Sequence, residues 1–436
     1  MVHGGGGQGR KANDIPDRID MRPLLYGITP HGEKLTGEGK ETERAPPFLL
    51  CLCLRSLSLM PHIHQCCCLS AFLVAEAEET QEETYMDKAK REQFIKQMMN
   101  YVTGASLSGM IFIGDRVGLF KAMAGAGPLS IAETAAKAGL QERYVREWLS
   151  AMAAAGIVEY DASTERFTFP EEHAAVLADE NSPSFLAGFF QNTPAMITTA
   201  PRVAEAFVKG GGVPFSECGP DVIAGIDRSN RAQYQFHLVK RWLPAMPQVM
   251  ARLQEGGCAA DVGCGSGYPS ILMAQAFPRS RFYGFDVSEE SLERARADAQ
   301  KRGVADRVEF RRVSATALPD DPKFDFVTSF DAVHDMVDPR GALRAIRRAL
   351  ADDGTYFMVE PKAGDTLAEN LNPMGAMMYS MSTLHCLTVS LAHGGEGIGT
   401  AIGPSKVREL VEQAGFTHCR RLPIEHLAQA FYEIRP

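Results

Sequence analysis

Residues 258–277 read CAADVGCGSGYPSILMAQAF, and this stretch decides the fold. A short apolar run leads to Asp261, a loop with alternating glycines follows, and Pro269 suits the first turn of a helix. The loop glycines are Gly263, Gly265 and Gly267. Glycine lets a ligand approach the backbone closely, and the first turn of a helix offers unpaired N–H groups. A strand, a glycine loop and a helix in this order predict a nucleotide-like cofactor on an open parallel sheet.

The spacing of the glycines distinguishes between cofactors. The dinucleotide pattern G-x-G-x-x-G, counted from Gly263, requires glycine at position 268, where the chain has Tyr268. The pattern G-x-G-x-G instead resembles motif I of the class I S-adenosylmethionine-dependent methyltransferases. The resemblance implies S-adenosyl-L-methionine as the cofactor, with Asp261 and the three glycines in its binding site.

Two further stretches extend this cofactor site. RFYGFD, residues 281–286, predicts a strand that ends in Asp286, and an acid at this distance after the loop accepts hydrogen bonds from ribose hydroxyls. We assign the adjacent Val287 to the same site. DRVEFRRVSATALP, residues 306–319, resembles the family's adenine-binding segment, which implies adenine contacts for Ser314 and Ala315. Ser314 stands where the family usually has aspartate.

The remaining sequence completes a sheet. Strands are predicted in FDFVTSF (324–330), GTYFMVE (354–360), GFTHCRRL (415–422) and LAQAFYEIR (427–435), with helices over 340–350 and 404–414. Alternating strands and helices that end in a strand pair resemble the α/β fold of the family. We therefore expect a Rossmann-like, seven-stranded, doubly wound methyltransferase sheet whose last strand runs antiparallel, preceded by an α-helical winged-helix domain.

The preceding region predicts that winged helix. Ser130 and Glu133 form a capping-box pattern, Gly139 ends the same helix, and a second helix follows. IVEYDASTERFTF, residues 157–169, predicts a two-stranded hairpin. A winged helix either reads DNA or serves packing and dimerisation. Acidic and basic residues balance on the second helix, so it lacks the net positive charge that attracts DNA phosphates. We therefore favour a role in packing and in forming a homodimer.

Composition and length set the domain organisation. The 436 residues, with a net charge of -9 and a pI near 5.7, suggest two or three domains and argue against a nucleic-acid partner. We expect a disordered or dispensable extension over 1–85, a winged-helix domain over 86–180, connecting helices over 181–256 and a methyltransferase domain over 257–436.

The cellular compartment is predicted from the cysteines and the apolar runs. No stretch approaches the roughly 18 apolar residues of a membrane span, so no membrane association is expected. Cysteines beyond the early cluster are scattered singly, which indicates a reducing, cytoplasmic compartment. The histidines and cysteines of residues 62–68 match no standard zinc spacing, and no metal is predicted.

FDAVHDMVDP, residues 330–339, carries the candidate chemistry. Histidine, with an ordinary pKa of about 6.5, is well suited to remove a proton from a hydroxyl near neutral pH. VHDM resembles the HDW element of the winged-helix small-molecule O-methyltransferases of the plant phenolic and hydroxyindole type, with Met336 in place of the usual tryptophan. FDAVHDM and EPKAGD (360–365) also resemble an actinobacterial group of winged-helix methyltransferases.

The resemblance assigns roles to individual residues. His334 would be the general base, Glu360 the acid that orients it, and Glu396 a second such acid. Phe330 and Asp331 would line the adenosine. The alternative interpretation of His334 and Glu360 is that both merely end strands.

The acceptor side is predicted from apolar residues outside the motifs. Methionines at helical spacing fill cores and also form adaptable walls against aromatic ligands. We assign to the acceptor wall Phe189, Tyr234, Met246, Met377 and Met381. The favoured function is methyl transfer from S-adenosylmethionine to a small molecule, at a hydroxyl. Alternatives are an N- or S-methyltransferase that relies on proximity alone, or a cofactor-binding winged-helix transcriptional regulator.

Overall fold

A computed structural model of the chain describes residues 86–436, which belong to one structural unit. The predicted extension over 1–85, with its clustered cysteines and histidines, lies outside the described residues. Over residues 86–436, no helix combines the length and the apolar character needed to cross a membrane.

The first part of the described chain is a winged helix, as predicted. Its elements are α1 (Lys88–Arg116), α2 (Leu119–Met123), α3 (Ile131–Ala138), α4 (Glu142–Ala154), β1 (Glu159–Asp161), β2 (Arg166–Thr168) and α5 (Glu171–Leu177). Ser130 and Glu133 form the capping box of α3, and Gly139 ends that helix in the left-handed conformation. The charges on α4 pair with one another, for example Arg146 with Glu142 at 3.0 Å, so the helix presents no basic face.

Connecting helices follow the hairpin. They are α6 (Ala187–Ile197), α7 (Ala200–Lys209), α8 (Pro220–Gln233) and α9 (Pro247–Glu255). A 3-10 turn (Phe215–Glu217) precedes α8, and α8 continues into a π-helical segment (Tyr234–Trp242) and a 3-10 turn (Leu243–Ala245). π-helical turns are rare and occur frequently at functional sites.

The second half contains the sheet. Its elements are β3 (Cys258–Val262), α10 (Tyr268–Ala276), β4 (Arg281–Asp286), α11 (Glu289–Lys301), β5 (Val308–Arg312), β6 (Phe324–Phe330), α12 (Pro339–Ala349), β7 (Leu350–Pro361), α13 (Pro373–Met381), α14 (Leu387–Ala392), α15 (Pro404–Gln413), β8 (His418–Arg421) and β9 (Gln429–Arg435). Short 3-10 turns cover Ala315–Ala317, Val333–Asp335 and Ala368–Asn370, and a π-helical segment, Ser382–Cys386, joins α13 to α14.

The strand order confirms the predicted sheet. It is β5-β4-β3-β6-β7-β9-β8, in which β3 to β7 pair in parallel and β9 runs antiparallel to both of its neighbours. Helices cover both faces. One core contains Leu253, Ile271 and Leu292 from α9, α10 and α11, and the other contains Leu343 and Val407 from α12 and α15. The order reverses between β3 and β6, so the carboxyl ends of these strands form the crevice where such sheets bind ligands.

Candidate active site

The glycine loop joins β3 to α10 at the carboxyl edge of the sheet. Gly263, Gly265 and Gly267 have φ angles of 72, 51 and 68°, a conformation that residues with a Cβ rarely adopt. A Cβ at Gly267 would lie 2.3 Å from the Phe310 ring, whereas a Cβ at Gly265 would meet nothing within 4 Å. The loop is therefore packed tightly against β5 at one end and open to an approaching ligand at Gly265.

Asp286 ends β4 beside this loop, as predicted. Its Oδ2 accepts a hydrogen bond from the Gly265 N–H (2.9 Å), and its Oδ1 accepts one from the Ser288 N–H (2.8 Å). Burial raises the pKa of the carboxyl, and the backbone donors partly offset this effect. Asp286 thus fixes the open part of the loop, while Val287 beside it is exposed.

Asp261 supports the loop from inside the protein. Its Oδ1 accepts a hydrogen bond from Thr328 Oγ1 (2.9 Å) and its Oδ2 accepts one from Ser270 Oγ (3.2 Å). Burial raises the pKa of this carboxyl to about 7. The side chain joins β3, β6 and α10 at the base of the crevice.

The predicted adenine residues lie after β5. Ser314 caps the short turn Ala315–Ala317, and its Oγ lies 2.9 Å from Thr316 Oγ1. Ser314 is exposed, and Ala315 is partly buried against the core. Their contact with adenine stays a prediction.

Phe330 and Asp331 lie where β6 ends. The Phe330 ring centroid is 5.2 Å from that of Tyr234. Asp331 has a φ of 50°, and its Oδ2 accepts a hydrogen bond from Gln429 Nε2 (2.8 Å). Its buried Oδ1 has no hydrogen-bond partner in the described part of the chain. Burial, together with the charge of Glu360, raises the pKa of Asp331 to about 7.

His334 and Glu360 form a buried pair. The His334 Nδ1 lies 2.6 Å from Glu360 Oε2, and Glu360 Oε1 accepts a hydrogen bond from the Val333 N–H (2.9 Å). Glu360 is completely buried on β7, and His334 lies on the 3-10 turn after β6. Because Glu360 accepts the Nδ1 proton, neutral His334 presents Nε2 as its basic nitrogen.

The electrostatics of this pair favour the charged imidazole. Burial alone lowers the pKa of His334, but the negative charge of Glu360 outweighs it, and the neighbouring Cys386 adds to the increase. The net result is a pKa well above the ordinary value of histidine. A strong base is therefore held at the carboxyl edge of the sheet.

A second histidine lies close to this pair. His385 is buried on the π-helical segment, with its Nδ1 3.6 Å from Cys218 Sγ. Burial and the charge of His334 lower the pKa of His385 to about 4, so it is neutral near pH 7. Among residues 86–436, no group of histidine, cysteine and acidic side chains is arranged to hold a metal ion.

Glu396 is not part of the base. Its carboxylate pairs with Arg340 at 3.0 Å, near the surface. The assignment of Glu396 as a second orienting acid is therefore corrected: the GGEG turn directs this carboxylate to α12 rather than to the imidazole.

Comparisons with known proteins agree with the fold described above. Residues 105–179 match the family described as the Rv2258c-like winged HTH domain, and residues 254–415 match the family described as Methyltransferase domain. This chain is a class I S-adenosylmethionine-dependent methyltransferase with an N-terminal winged-helix domain. The methyltransferase match covers the glycine loop, Asp286, His334 and Glu360.

Individual relatives of this methyltransferase are distant. The 27-O-demethylrifamycin SV methyltransferase of Amycolatopsis mediterranei is 29% identical over 198 residues, which are 42% of this chain and 71% of the relative. The next two curated relatives are matched over 39% and 63% of their lengths.

Solved structures share the fold over most of the chain. Mitomycin 7-O-methyltransferase MmcR has a TM-score of 0.61 at 20% identity, covering 80% of this chain and 99% of that protein. Human N-acetylserotonin methyltransferase, in complex with S-adenosylmethionine, has a TM-score of 0.55 at 18% identity, covering 81% and 99%.

The residues of this methyltransferase fit its cofactor. The open face of Gly265 leaves room beside the loop, and Asp331 Oδ1 offers a buried acceptor without a partner in the described chain.

The predicted acceptor wall of the methyltransferase is brought together only in part. Met381 packs against Met196, Cys218 and Val222, and Phe189 is half-buried on α6. Met377 is 40% exposed on α13. Tyr234 packs on Phe330, beside the cofactor residues.

Met246 is corrected from acceptor wall to core residue. It is completely buried at the start of α9 and packs within the core on that face of the sheet. The apolar sequence around it gave no means of distinguishing a wall from a core.

Sequence reasoning did not identify two residues of the site. Cys386 contributes to the raised pKa of His334, and Gln429 donates a hydrogen bond to Asp331 from the first position of β9. Neither lies in a recognisable motif. For Gln429, the predicted antiparallel last strand was informative, because the start of such a strand lies at the carboxyl edge of its parallel neighbours.

Proposed function

We propose that this methyltransferase transfers the methyl group of S-adenosylmethionine to a hydroxyl of a small, flat and largely apolar molecule, with His334 as the general base. The observation that carries the proposal is the 2.6 Å contact of His334 Nδ1 with Glu360, which orients the imidazole so that Nε2 can take a proton when the ring is neutral. The relatives that act on rifamycin and mitomycin hydroxyls support oxygen as the acceptor atom.

The chain's own residues have separate tasks in this reaction. Bound S-adenosylmethionine supplies an electrophilic methyl group. His334 Nε2 would remove the acceptor's hydroxyl proton and so make the oxygen nucleophilic, and Glu360 would stabilise the imidazolium that forms. Met381 and its apolar neighbours exclude water from the acceptor side.

A variant pair tests the base. We expect His334→Ala to reduce methyl transfer by about 100-fold or more, because general-base catalysis typically contributes 100-fold to 10,000-fold. The affinity for S-adenosylhomocysteine, measured by calorimetry, should be retained. His393→Ala, at an exposed histidine, is the control and should leave both quantities unchanged.

The acceptor is sought with labelled cofactor and a panel of hydroxylated aromatic compounds and their amine and thiol counterparts. Transfer to amines or thiols with full activity of His334→Ala would contradict the proposed O-methylation and favour catalysis by proximity. Transfer to hydroxyls that depends on His334 supports it.

We also propose a homodimer and a cytoplasmic location. Apolar residues along the first half of α1, among them Phe94, Met99 and Tyr101, are more than half exposed, which suits burial against a second copy. The cysteines of the described part, Cys218, Cys258, Cys264, Cys386 and Cys419, are free thiols, which supports a reducing compartment.

A further inference from the structure

Side chains from outside the sheet hold the cofactor loop. Ser266 lies between the last two glycines of the loop, and Tyr268 follows the last glycine as the first residue of α10. Ser266 Oγ donates a hydrogen bond to Asp227 Oδ1, and the Tyr268 hydroxyl donates one to Gln235 Oε1 at 2.8 Å. Both acceptors belong to the connecting helices, on α8 and the π-helical segment that continues it.

A third residue on the same helix completes this contact. The Arg231 guanidinium lies over the Tyr268 ring, 4.4 Å from its centroid. Arg231 also pairs with Asp227 (2.7 Å) and with Asp298 on α11 (3.1 Å). Asp227, Arg231 and Gln235 are spaced by four residues, so they lie on one helical face.

The opposite side of α8 is tied to the winged-helix domain. Arg228 pairs with Asp115 on α1 at 2.7 Å and donates a hydrogen bond to Gln191 on α6, also at 2.7 Å. Gly225 lies so close to α6 that a Cβ there would be 2.6 Å from the Asn192 nitrogen. The close packing of Gly225 against α6 therefore fixes the position of α8, and the ion pair of Arg228 adds to the stability of the fold.

We propose that α8 positions the cofactor loop, with Asp227, Arg231 and Gln235 as positioning residues that hold Ser266 and Tyr268 in the binding conformation. Glycines at alternating positions make a loop flexible. Ordering such a loop when the cofactor binds lowers the affinity for the cofactor, unless the loop is already ordered in the free protein. The inference rests on the cofactor site and not on the proposed acceptor or on His334, so it survives if the acceptor atom is not oxygen.

Binding of S-adenosylhomocysteine tests the proposal without any reaction. We expect Asp227→Ala to weaken the Kd about tenfold, the usual effect of losing a hydrogen bond to a charged group. Ser266→Ala should weaken it to a similar degree. The double variant should bind no worse than Asp227→Ala alone, because Ser266→Ala removes only the hydrogen bond to Asp227 that Asp227→Ala has already removed.

A control separates positioning from general stability. Arg228→Met removes the ion pair with Asp115 on the other side of α8. It should lower Tm while leaving the Kd of S-adenosylhomocysteine within about twofold of the wild-type value. Asp227→Glu keeps a carboxylate and should recover part of the affinity that Asp227→Ala loses. An unchanged Kd in Asp227→Ala, additive losses in the double variant, or an equal loss in Arg228→Met would each overturn the proposal. Turnover at saturating cofactor should stay near the wild-type value in Asp227→Ala, as expected for a residue that acts on cofactor affinity.

Discussion

The pairing of His334 with Glu360 supports the proposed role of His334, at the end of β6, as the general base. Sequence motifs predicted both residues, because the resemblance specifies their positions after two neighbouring strands. The motifs did not predict that Glu360 would also accept the Val333 N–H. This second bond depends on the register between β6 and β7, which no local pattern specifies.

Glu360→Gln should change the pH dependence of methyl transfer. His334 must be unprotonated to act, so the rate rises with pH through its pKa. Removing the Glu360 charge removes the main cause that raises this pKa, and the midpoint of the pH–rate curve should move to lower pH. The maximal rate should fall by about 100-fold, because the imidazolium loses its partner.

Glu396→Gln is the matched control for this experiment. Its carboxylate pairs with Arg340, away from the imidazole, so the pH–rate curve should not move. A shift as large as that of Glu360→Gln would contradict the placement of the base.

Cys386→Ala tests the thiol beside His334. The thiol adds to the raised pKa of His334, so its removal should also move the midpoint to lower pH, by less than Glu360→Gln. The rate at high pH should be retained within about tenfold, since Glu360 still orients the ring. Cys419→Ala on β8 is the control. An unmoved curve in Cys386→Ala would mean that the thiol does not influence the base.

Among the elements, the strand ends carry the acidic groups of the crevice. Asp261 on β3 and Asp331 after β6 both have pKa values raised to about 7, in each case chiefly by burial. The folded protein therefore holds protons that the unfolded chain releases near pH 4. The contribution of these two carboxyl groups to the free energy of unfolding is complete below about pH 4 and is lost as the pH rises to about 7.

The ligand-free protein should accordingly lose thermal stability over this range. We expect Tm to fall by a few °C between pH 5 and pH 7.5, measured by calorimetry. Asp331→Asn should reduce this dependence, because an amide does not ionise. A variant with the same slope as the wild type would exclude Asp331 as a source.

Regular elements were predicted better than irregular ones. Strands β3 to β9 and helices α12 and α15 lie close to their predicted bounds, because apolar period and capping residues specify them locally. The π-helical segments were not predicted, since a π-turn differs from an α-helix only in its hydrogen-bond register. These segments hold Tyr234 and Cys386, and that is why the immediate surroundings of the base were the least predictable part of the site.

At the scale of the whole molecule, α1 extends beyond its own domain. Between Lys88 and Ser106, every residue except Met98 is exposed, although the face includes Phe94 and Met99. A helix without tertiary packing is marginal in water, so we expect this half of α1 to pack against a partner surface.

Phe94→Glu combined with Met99→Glu should shift the protein from dimer to monomer. Two charges in the centre of an apolar interface would remain without partners and oppose association. Sedimentation measures the oligomeric state. Phe207→Glu, at another exposed phenylalanine, on α7, is the control and should leave the dimer intact. A wild-type protein that sediments as a monomer would contradict the proposed dimer.

The position of β7 has a further consequence for how the active site loses its structure on heating. This strand lies inside the sheet, with β6 and β9 bonded to its two sides, and Glu360 is near its carboxyl end. Backbone amides in such strands exchange with solvent mainly through complete unfolding. Deuterium uptake at β7 should therefore be among the slowest in the molecule, and uptake in the first half of α1 among the fastest. Loss of the His334–Glu360 pair on heating would then coincide with global denaturation instead of preceding it.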